Sequence, residues 1–374
     1  MGRRWSLLIV LLACVPQCGA ALTPPPKLPL RQRTAGLRVA AGAALGNLLQ
    51  GFNTGVIAGA LLFIVPEFQL ESRPEITGMI ASSTTMGAVL GTAASGRLSD
   101  SAGRQRTIAV SSALFLIGGS LMGWSPDTRT LIAGRFVGGI AAGIVSAVVP
   151  TYIAECAEPS QRGALATLPQ FCVSSGILLS YVVGLAALLF GGSWRSMLGF
   201  SLIPAAAQTA LVLSLPESPR WLLMQQKEEA TALDALRKLR GTDDVAEELA
   251  SMREGLARER ARAAEAKSTD GADDGNSLLM LVQNAQARRA LLVCGTLQLF
   301  QQFCGVNAIV YFTPQILKEA GVSALFLNWG VSTDVAAMLA TVLAYLPKIP
   351  AVLFATYLID KSRRSAAGFL DPQL

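Results

Sequence analysis

The 374-residue sequence contains no histidine. That removes His-based nucleophile triads, imidazole metal sites and the usual near-neutral proton switch. Cysteine is sparse: six residues lie scattered, with no CxxC pair and no metal-ligand spacing. Charge is scarce too. Only 15% of residues are Asp, Glu, Lys or Arg, against about a quarter in soluble domains. No acidic residue occurs before Glu67. What the chain has instead is apolar bulk: 52% hydrophobic residues and a mean hydropathy of +0.46. Such a composition excludes intrinsic disorder, a collagen-like fibre and a disulfide scaffold. It also leaves too little polar surface to cover a water-soluble enzyme of this length. The net charge of +6 fits either nucleic acid or the cytoplasmic face of a membrane, and the apolar excess favours the membrane over nucleic acid.

A spanning helix needs about 20 mostly apolar residues. Uncharged stretches run from Arg38 to Glu67, Glu75 to Arg97, Arg106 to Asp127, Arg135 to Glu155, Arg162 to Arg195, Arg195 to Glu217 and Arg289 to Lys318. An eighth, at about 330–359, contains Asp334 and Lys348. Open sheets cannot cross lipid, because their edge amides would go unpaired. The expected fold is an all-α helical membrane bundle with eight spans. Arginine and lysine gather in alternate loops: Arg97, Arg104 and Arg106; Arg220 to Arg289; Lys361 to Arg364. Alternation puts all of these on one side, the cytoplasmic one by the positive-inside rule.

Four segments follow. Residues 1–37 form a leader with a basic start, an apolar core and a small-residue end, then a Pro-rich basic stretch. It reads as a secretory signal, or a signal joined to a plastid-type transit peptide, or an ordinary uncleaved N-terminus. The membrane is therefore the plasma membrane or a plastid-type organellar one. Residues 38–216 hold six spans, 217–287 form a polar helical linker, and 288–374 hold two more spans. The linker has helix-favouring composition and nothing resembling a catalytic site. No nucleophile–base set, metal cluster or phosphate loop is visible, so the chain is not read as an enzyme and no cofactor is expected.

Polar side chains in hydrocarbon are costly and usually face a bundle interior or a wet cavity. Asn47, Gln50 and Asn53 recur at helix-turn spacing in the first span; Gln170 lies in the fifth; Gln298, Gln301, Gln302 and Asn307 lie in the seventh. Neutral amides both donate and accept, which suits a neutral polyhydroxy ligand. The competing reading is that they bond helix to helix. At the basic ends, acids and arginines alternate: Asp100 and Arg104 around Gly103, then Glu155 and Arg162, then Glu217 and Arg220. Such charges can form a network that biases one global conformation.

Taken together, these motifs resemble the sugar porters of the major facilitator superfamily over residues 38 to about 364. The residues that carry the resemblance are Gly96-Arg-Leu-Ser-Asp100-Ser-Ala-Gly103-Arg104, Pro150-Thr-Tyr152-Ile-Ala-Glu155 with Arg162-Gly163, Pro216-Glu217-Ser218-Pro219-Arg220-Trp221-Leu222, and Gln301-Gln302-Phe-Cys-Gly305-Val-Asn307 with Tyr311. The resemblance implies a twelve-helix fold, of which about eight helices are present, and alternating access for a hexose, pentose or polyol. It implies sugar ligands at Gln170, Gln301, Gln302 and Asn307, a gate at Tyr311, and a charge network at Arg104, Glu155, Arg162 and Glu217, with Arg135 near the other side. Proton-coupled members have Asp after the Gly-aromatic pair of the first span. Here Gly51-Phe52 is followed by Asn53, which favours uniport over proton symport. A non-transporting sugar sensor or a truncated relative is the further alternative. Lys348 stands where the family often has Asn.

Overall fold

The computed structural model describes residues 30–158, 161–225, 229–270, 285–322 and 332–367. Most of the leader, part of the linker and the last seven residues lie outside them. Among the described residues every regular element is a helix. They are α1 Leu30–Glu67, α2 Pro74–Ala102, α3 Arg104–Gly123, α4 Thr128–Cys156, α5 Arg162–Ala166, α6 Leu168–Phe190, α7 Trp194–Gly199 and α8 Leu202–Ser214. Beyond these come α9 Pro219–Met224, α10 Glu229–Arg240, α11 Ala246–Asp270, α12 Ala285–Phe303, α13 Val306–Glu319, α14 Thr333–Tyr345 and α15 Lys348–Ala367. Among the described residues, seven stretches are long and apolar enough to cross a membrane. The remaining expected span forms as α2, which is long enough at 29 residues but carries many Ser, Thr and Gly.

Those small residues explain how α2 is held. Gly87 and Gly91 meet the backbone of α4 at Phe136 and Ile140, while Gly139 and Gly143 of α4 meet α2 at Thr84 and Ala88. A Cβ at any of these four positions would collide with a carbonyl oxygen of the partner helix. In lipid, apolar side chains gain nothing by leaving their surroundings, so close backbone approach and its van der Waals contact carry the association. Thr92 adds a hydrogen bond to the Gly143 carbonyl at 3.2 Å.

The first bundle, α1 to α8, has two buried clusters. One surrounds Leu49, Phe115, Val145 and Tyr152; the other surrounds Phe52, Ile57, Ile64 and Trp194. The polar linker folds against the basic end. There α9, α10 and α11 enclose Trp221, Leu222, Leu236 and Leu249. Arg240 anchors this cluster: it donates to the Cys156 carbonyl at 2.8 Å and forks onto Glu248 at 2.9 and 2.6 Å.

Helices α13 and α14 join the first bundle near its other end. Val310, Tyr311 and Met338 enter the second cluster. Met338 is fully buried in a notch left by Gly59 of α1 and Gly184 of α6. By contrast, every residue from Arg288 to Phe303 on α12 is exposed. The second part therefore meets the first through α13, α14 and α15, while α12 stands exposed.

Candidate functional site

The basic end holds a connected ion-pair site. Gly103, between α2 and α3, has φ +100 and ψ 163, a conformation open to glycine and hardly to other residues. The chain can then reverse, which brings the start of α3 against the loop after α8. The backbone N–H groups of Arg104 and Gln105 donate to Glu217 Oε1 at 2.9 and 3.1 Å, as does Ser218 N at 2.9 Å. Glu217 thus caps α3 from another part of the chain, where a negative charge complements the helix N-terminus. Arg104 is buried and forks onto Glu155 at 3.1 Å through both Nε and Nη2. Its Nη1 donates to the Ser99 carbonyl at 3.0 Å and to Asp100 Oδ1 at 3.3 Å. A buried pair of this kind holds only when its remaining hydrogen-bonding capacity is filled. Ser218 Oγ fills it on the acid side, donating to Glu155 Oε2 at 2.6 Å.

Asp100, Arg104, Glu155 and Glu217 are therefore gathered as the alternating charges suggest, but two expected members behave differently. Arg220 pairs instead with Glu259 of α11 at 2.8 Å. Arg162 is exposed and makes no ion pair among the described residues, because α5 points it toward a cavity of about 700 Å³ shared with Glu259 and Met252. Sequence reasoning missed Ser218, the Trp221 Nε1 bond to the Asp100 carbonyl at 2.9 Å, and the Tyr152 hydroxyl on the Pro216 carbonyl at 2.5 Å. The signal was available: all sit inside the motif runs, and most of their partners are backbone groups that a tally of charges passes over.

The amide positions share another feature: they flank breaks in spanning helices. The seventh span is interrupted between α12 and α13, where Gly305 takes φ +71. Gln301 and Gln302 precede that break and Asn307 follows it. Asn307 Nδ2 donates to Gln302 Oε1 at 3.0 Å, across the interruption. Gln170 lies in the first turn of α6, just after the break at Thr167. Broken helices at membrane depth are tolerated where they line protein or a water-filled space. The structure brings Gln302 and Asn307 together. It joins neither Gln170 nor Gln301 to them by a hydrogen bond, and the side chains of all three glutamines are exposed.

Tyr311 is buried, with its hydroxyl 3.3 Å from Thr85 Oγ1 of α2. Nearby, the Tyr181 hydroxyl donates to the Val310 carbonyl at 2.9 Å. These contacts join α13 to α2 and α6. Asn53 is buried and turned back on its own helix, donating to the Leu49 carbonyl at 3.1 Å. Asn47 bonds Gln50 at 3.3 Å. Arg135 is 1% exposed and donates to the carbonyls of Ile80 at 2.6 Å and Ala81 at 3.4 Å. Its Nη1 has no partner among the described residues. Among the described residues no cluster of His, Cys, Asp and Glu could hold a metal ion.

Among the described residues, an all-helical fold with spans stitched by glycine defines a multi-pass membrane protein. The chain belongs to the family described as "Sugar (and other) transporter", which matches residues 39–365. Probable inositol transporter 2 of Arabidopsis thaliana is 37% identical over 287 residues, covering 76% of this chain and 48% of that protein. The arabinose-proton symporter of Escherichia coli K12 is 35% identical over 336 residues, covering 90% of this chain and 65% of that protein. Among solved structures, the partially occluded inward-open xylose transporter XylE of E. coli superposes with a TM-score of 0.68 at 26% identity. That match covers 88% of this chain and 72% of XylE. The chain spans about half the length of the inositol-transporter relatives it matches.

Proposed function

We propose that this chain is a facilitative carrier that moves a small neutral polyhydroxy molecule (a hexose, a pentose or a polyol) by alternating access. Residues 38–216 act as one half, 217–287 as a cytoplasmic linker and 288–374 as the moving second part. Gln170, Gln301, Gln302 and Asn307 bind the hydroxyls. Tyr311 closes the outer side. The network of Asp100, Arg104, Glu155 and Glu217, with Arg162 and Arg220 beside it, steadies the cytoplasmic end. The carrier acts in the plasma membrane or a plastid-type membrane.

The observation that supports the uniport reading is that no Asp or Glu stands at mid-span among the described residues. Among the described residues, every Asp and Glu within the spanning stretches lies in a first or last turn, and Asp360 of α15 falls beyond the Thr333–Thr356 span. The mid-span position in α1 is Asn53, whose amide cannot carry a proton. Coupling would need a group that titrates within the route. The test is uptake of labelled D-glucose, D-xylose and myo-inositol into liposomes containing the full chain and a lumenal pH dye. Saturable uptake at constant lumenal pH is expected. Acidification in step with sugar entry would refute uniport and favour symport; binding without flux would favour a sensor.

A further inference from the structure

The cavity at the basic end, about 700 Å³, has the size of a small-molecule site. Two parts of the chain enclose it: α4 and α5 of the first bundle, and α9 and α11 of the linker. Its wall sets Arg104, Arg162 and Arg220 against Glu155 and Glu259. Arg104 is committed to Glu155 at 3.1 Å, and Arg220 meets Glu259 at 2.8 Å. Arg162 is left as an exposed wall cation with no ion pair among the described residues. Arg260 stands at the rim: it donates to the carbonyl of Met224, a wall residue, at 3.1 Å, and it too makes no ion pair among the described residues. The α11 wall also contains Gly255, inside a 25-residue helix. Glycine weakens a helix interior relative to alanine. Packing does not require it here, since no described neighbour has an atom within 4 Å of where its Cβ would stand. The missing side chain leaves that wall open to the cavity.

A guanidinium meets a phosphate through two parallel hydrogen bonds, and arginines arriving from two directions suit its several oxygens. The exposed Arg220–Glu259 pair contributes little to stability, so both of its ends can turn to a ligand. A carboxylate such as Glu259 accepts from hydroxyls, and Met224, Met252 and Leu256 add apolar surface. We propose that this cavity binds a phosphate monoester with a hydroxylated body: a sugar phosphate, or the phosphorylated inositol headgroup of a lipid. Arg162 and Arg260 hold the phosphate, Glu259 accepts from the hydroxyls, and the open wall at Gly255 admits the body of the ligand. Held between α5 and α11, the ester fastens the linker to the first bundle. The site lies at the basic end and not among the amides of the spans, so it goes beyond the carrier reading and leaves the carried solute neutral.

The test is equilibrium binding of labelled D-glucose 6-phosphate and of labelled dioctanoyl phosphatidylinositol 4-phosphate to the purified full chain in detergent, with inorganic phosphate and D-glucose as competitors. Wild type should bind at least one ester about tenfold tighter than inorganic phosphate or glucose. The ester bound more tightly identifies the source, soluble or lipid, and either upholds the site. Arg162→Gln should weaken that ester about tenfold, by loss of charge-assisted hydrogen bonds. Gly255→Met, which puts a side chain into the cavity and changes no charge, should weaken it by as much. Arg258→Gln, which removes an exposed α11 arginine that is not part of the wall, should shift it less than about twofold. Failure of wild type to bind either ester overturns the site. Equal weakening by Arg162→Gln and Arg258→Gln also overturns it, because the esters would then be held by a general basic surface. Undiminished binding by Gly255→Met overturns it too, by placing the ester outside the cavity. Should Arg162→Gln fail to fold, Gly255→Met decides alone on the same criterion. Sugar uptake into liposomes is a separate measurement, so loss of this site leaves the carrier reading standing.

Discussion

A single methyl group at Gly103 should unfasten the basic end of the bundle. The backbone there, at φ +100 and ψ 163, is a conformation essentially reserved for glycine; forcing Ala into it costs about 1–3 kcal/mol. The new Cβ would also fall on the Glu217 carboxylate. Glu217 would have to leave the N–H groups of Arg104, Gln105 and Ser218. Hydrogen bonds to a charged group contribute about 1.5–3 kcal/mol, and these three share one acceptor, so displacement is counted once at about 2 kcal/mol. Gly103→Ala should therefore cost about 4 kcal/mol, and Glu217→Ala alone about 2 kcal/mol. In the double variant the collision has gone, and only the backbone strain adds to the Glu217 loss. The cycle should show a compensating coupling of about 2 kcal/mol. The measurement is unfolding in mixed micelles of increasing SDS content, followed by tryptophan fluorescence. Additivity within about 0.5 kcal/mol, or a Gly103→Ala cost below about 1 kcal/mol, would refute the proposed contact.

Other expectations follow from the same geometry. Arg104→Lys loses the fork onto Glu155 and should destabilise by about 2 kcal/mol, whereas Arg220→Ala, which breaks the exposed pair with Glu259, should cost under about 1 kcal/mol in the same titration. Met338→Ala empties the notch between Gly59 and Gly184 and should cost about 2–4 kcal/mol, read the same way. Asn307→Ala leaves Gln302 without its partner across the helix break and should weaken sugar binding about tenfold, measured by equilibrium binding. Asp127 caps α4, and hydrogen bonds from the Thr130 side chain and backbone hold its carboxyl below the usual aspartate range. A depressed pKa stabilises the fold above the unfolded value, about 3.9, and that contribution is lost as pH falls through the lower folded value. Asp127→Asn should flatten the acid limb of a stability–pH curve below about pH 4, with the loss appearing at neutral pH and vanishing in acid.

Much of this architecture was legible in the sequence because lipid permits so few solutions. A long uncharged run must be a helix, and seven of the eight runs keep that reading on hydropathy alone. Only α2 needed more: its Ser, Thr and Gly lower its hydropathy, yet they are what let α4 approach. The ion pairs were legible as residue types but not as pairings. Nothing in the spacing of Arg162 or Arg220 says that α11 would offer Glu259 to one of them and leave the other facing a cavity. Tertiary docking of the linker decides that, and the linker sequence reads only as helical. The amides were legible as unusual. That Gln302 and Asn307 straddle an interruption at Gly305 required the backbone.

The contact between Arg240 and the Cys156 carbonyl spans 84 positions of chain. Synthesis therefore completes α4 well before its closing donor exists. The helix seams of the first bundle, which need only neighbours already made, can form as the ribosome proceeds. The docking of α9 to α11 waits until residue 248 has emerged to hold Arg240 from the far side. Closure of this end is thus ordered by chain position, with Arg240 and Glu248 arriving after the helices they fasten.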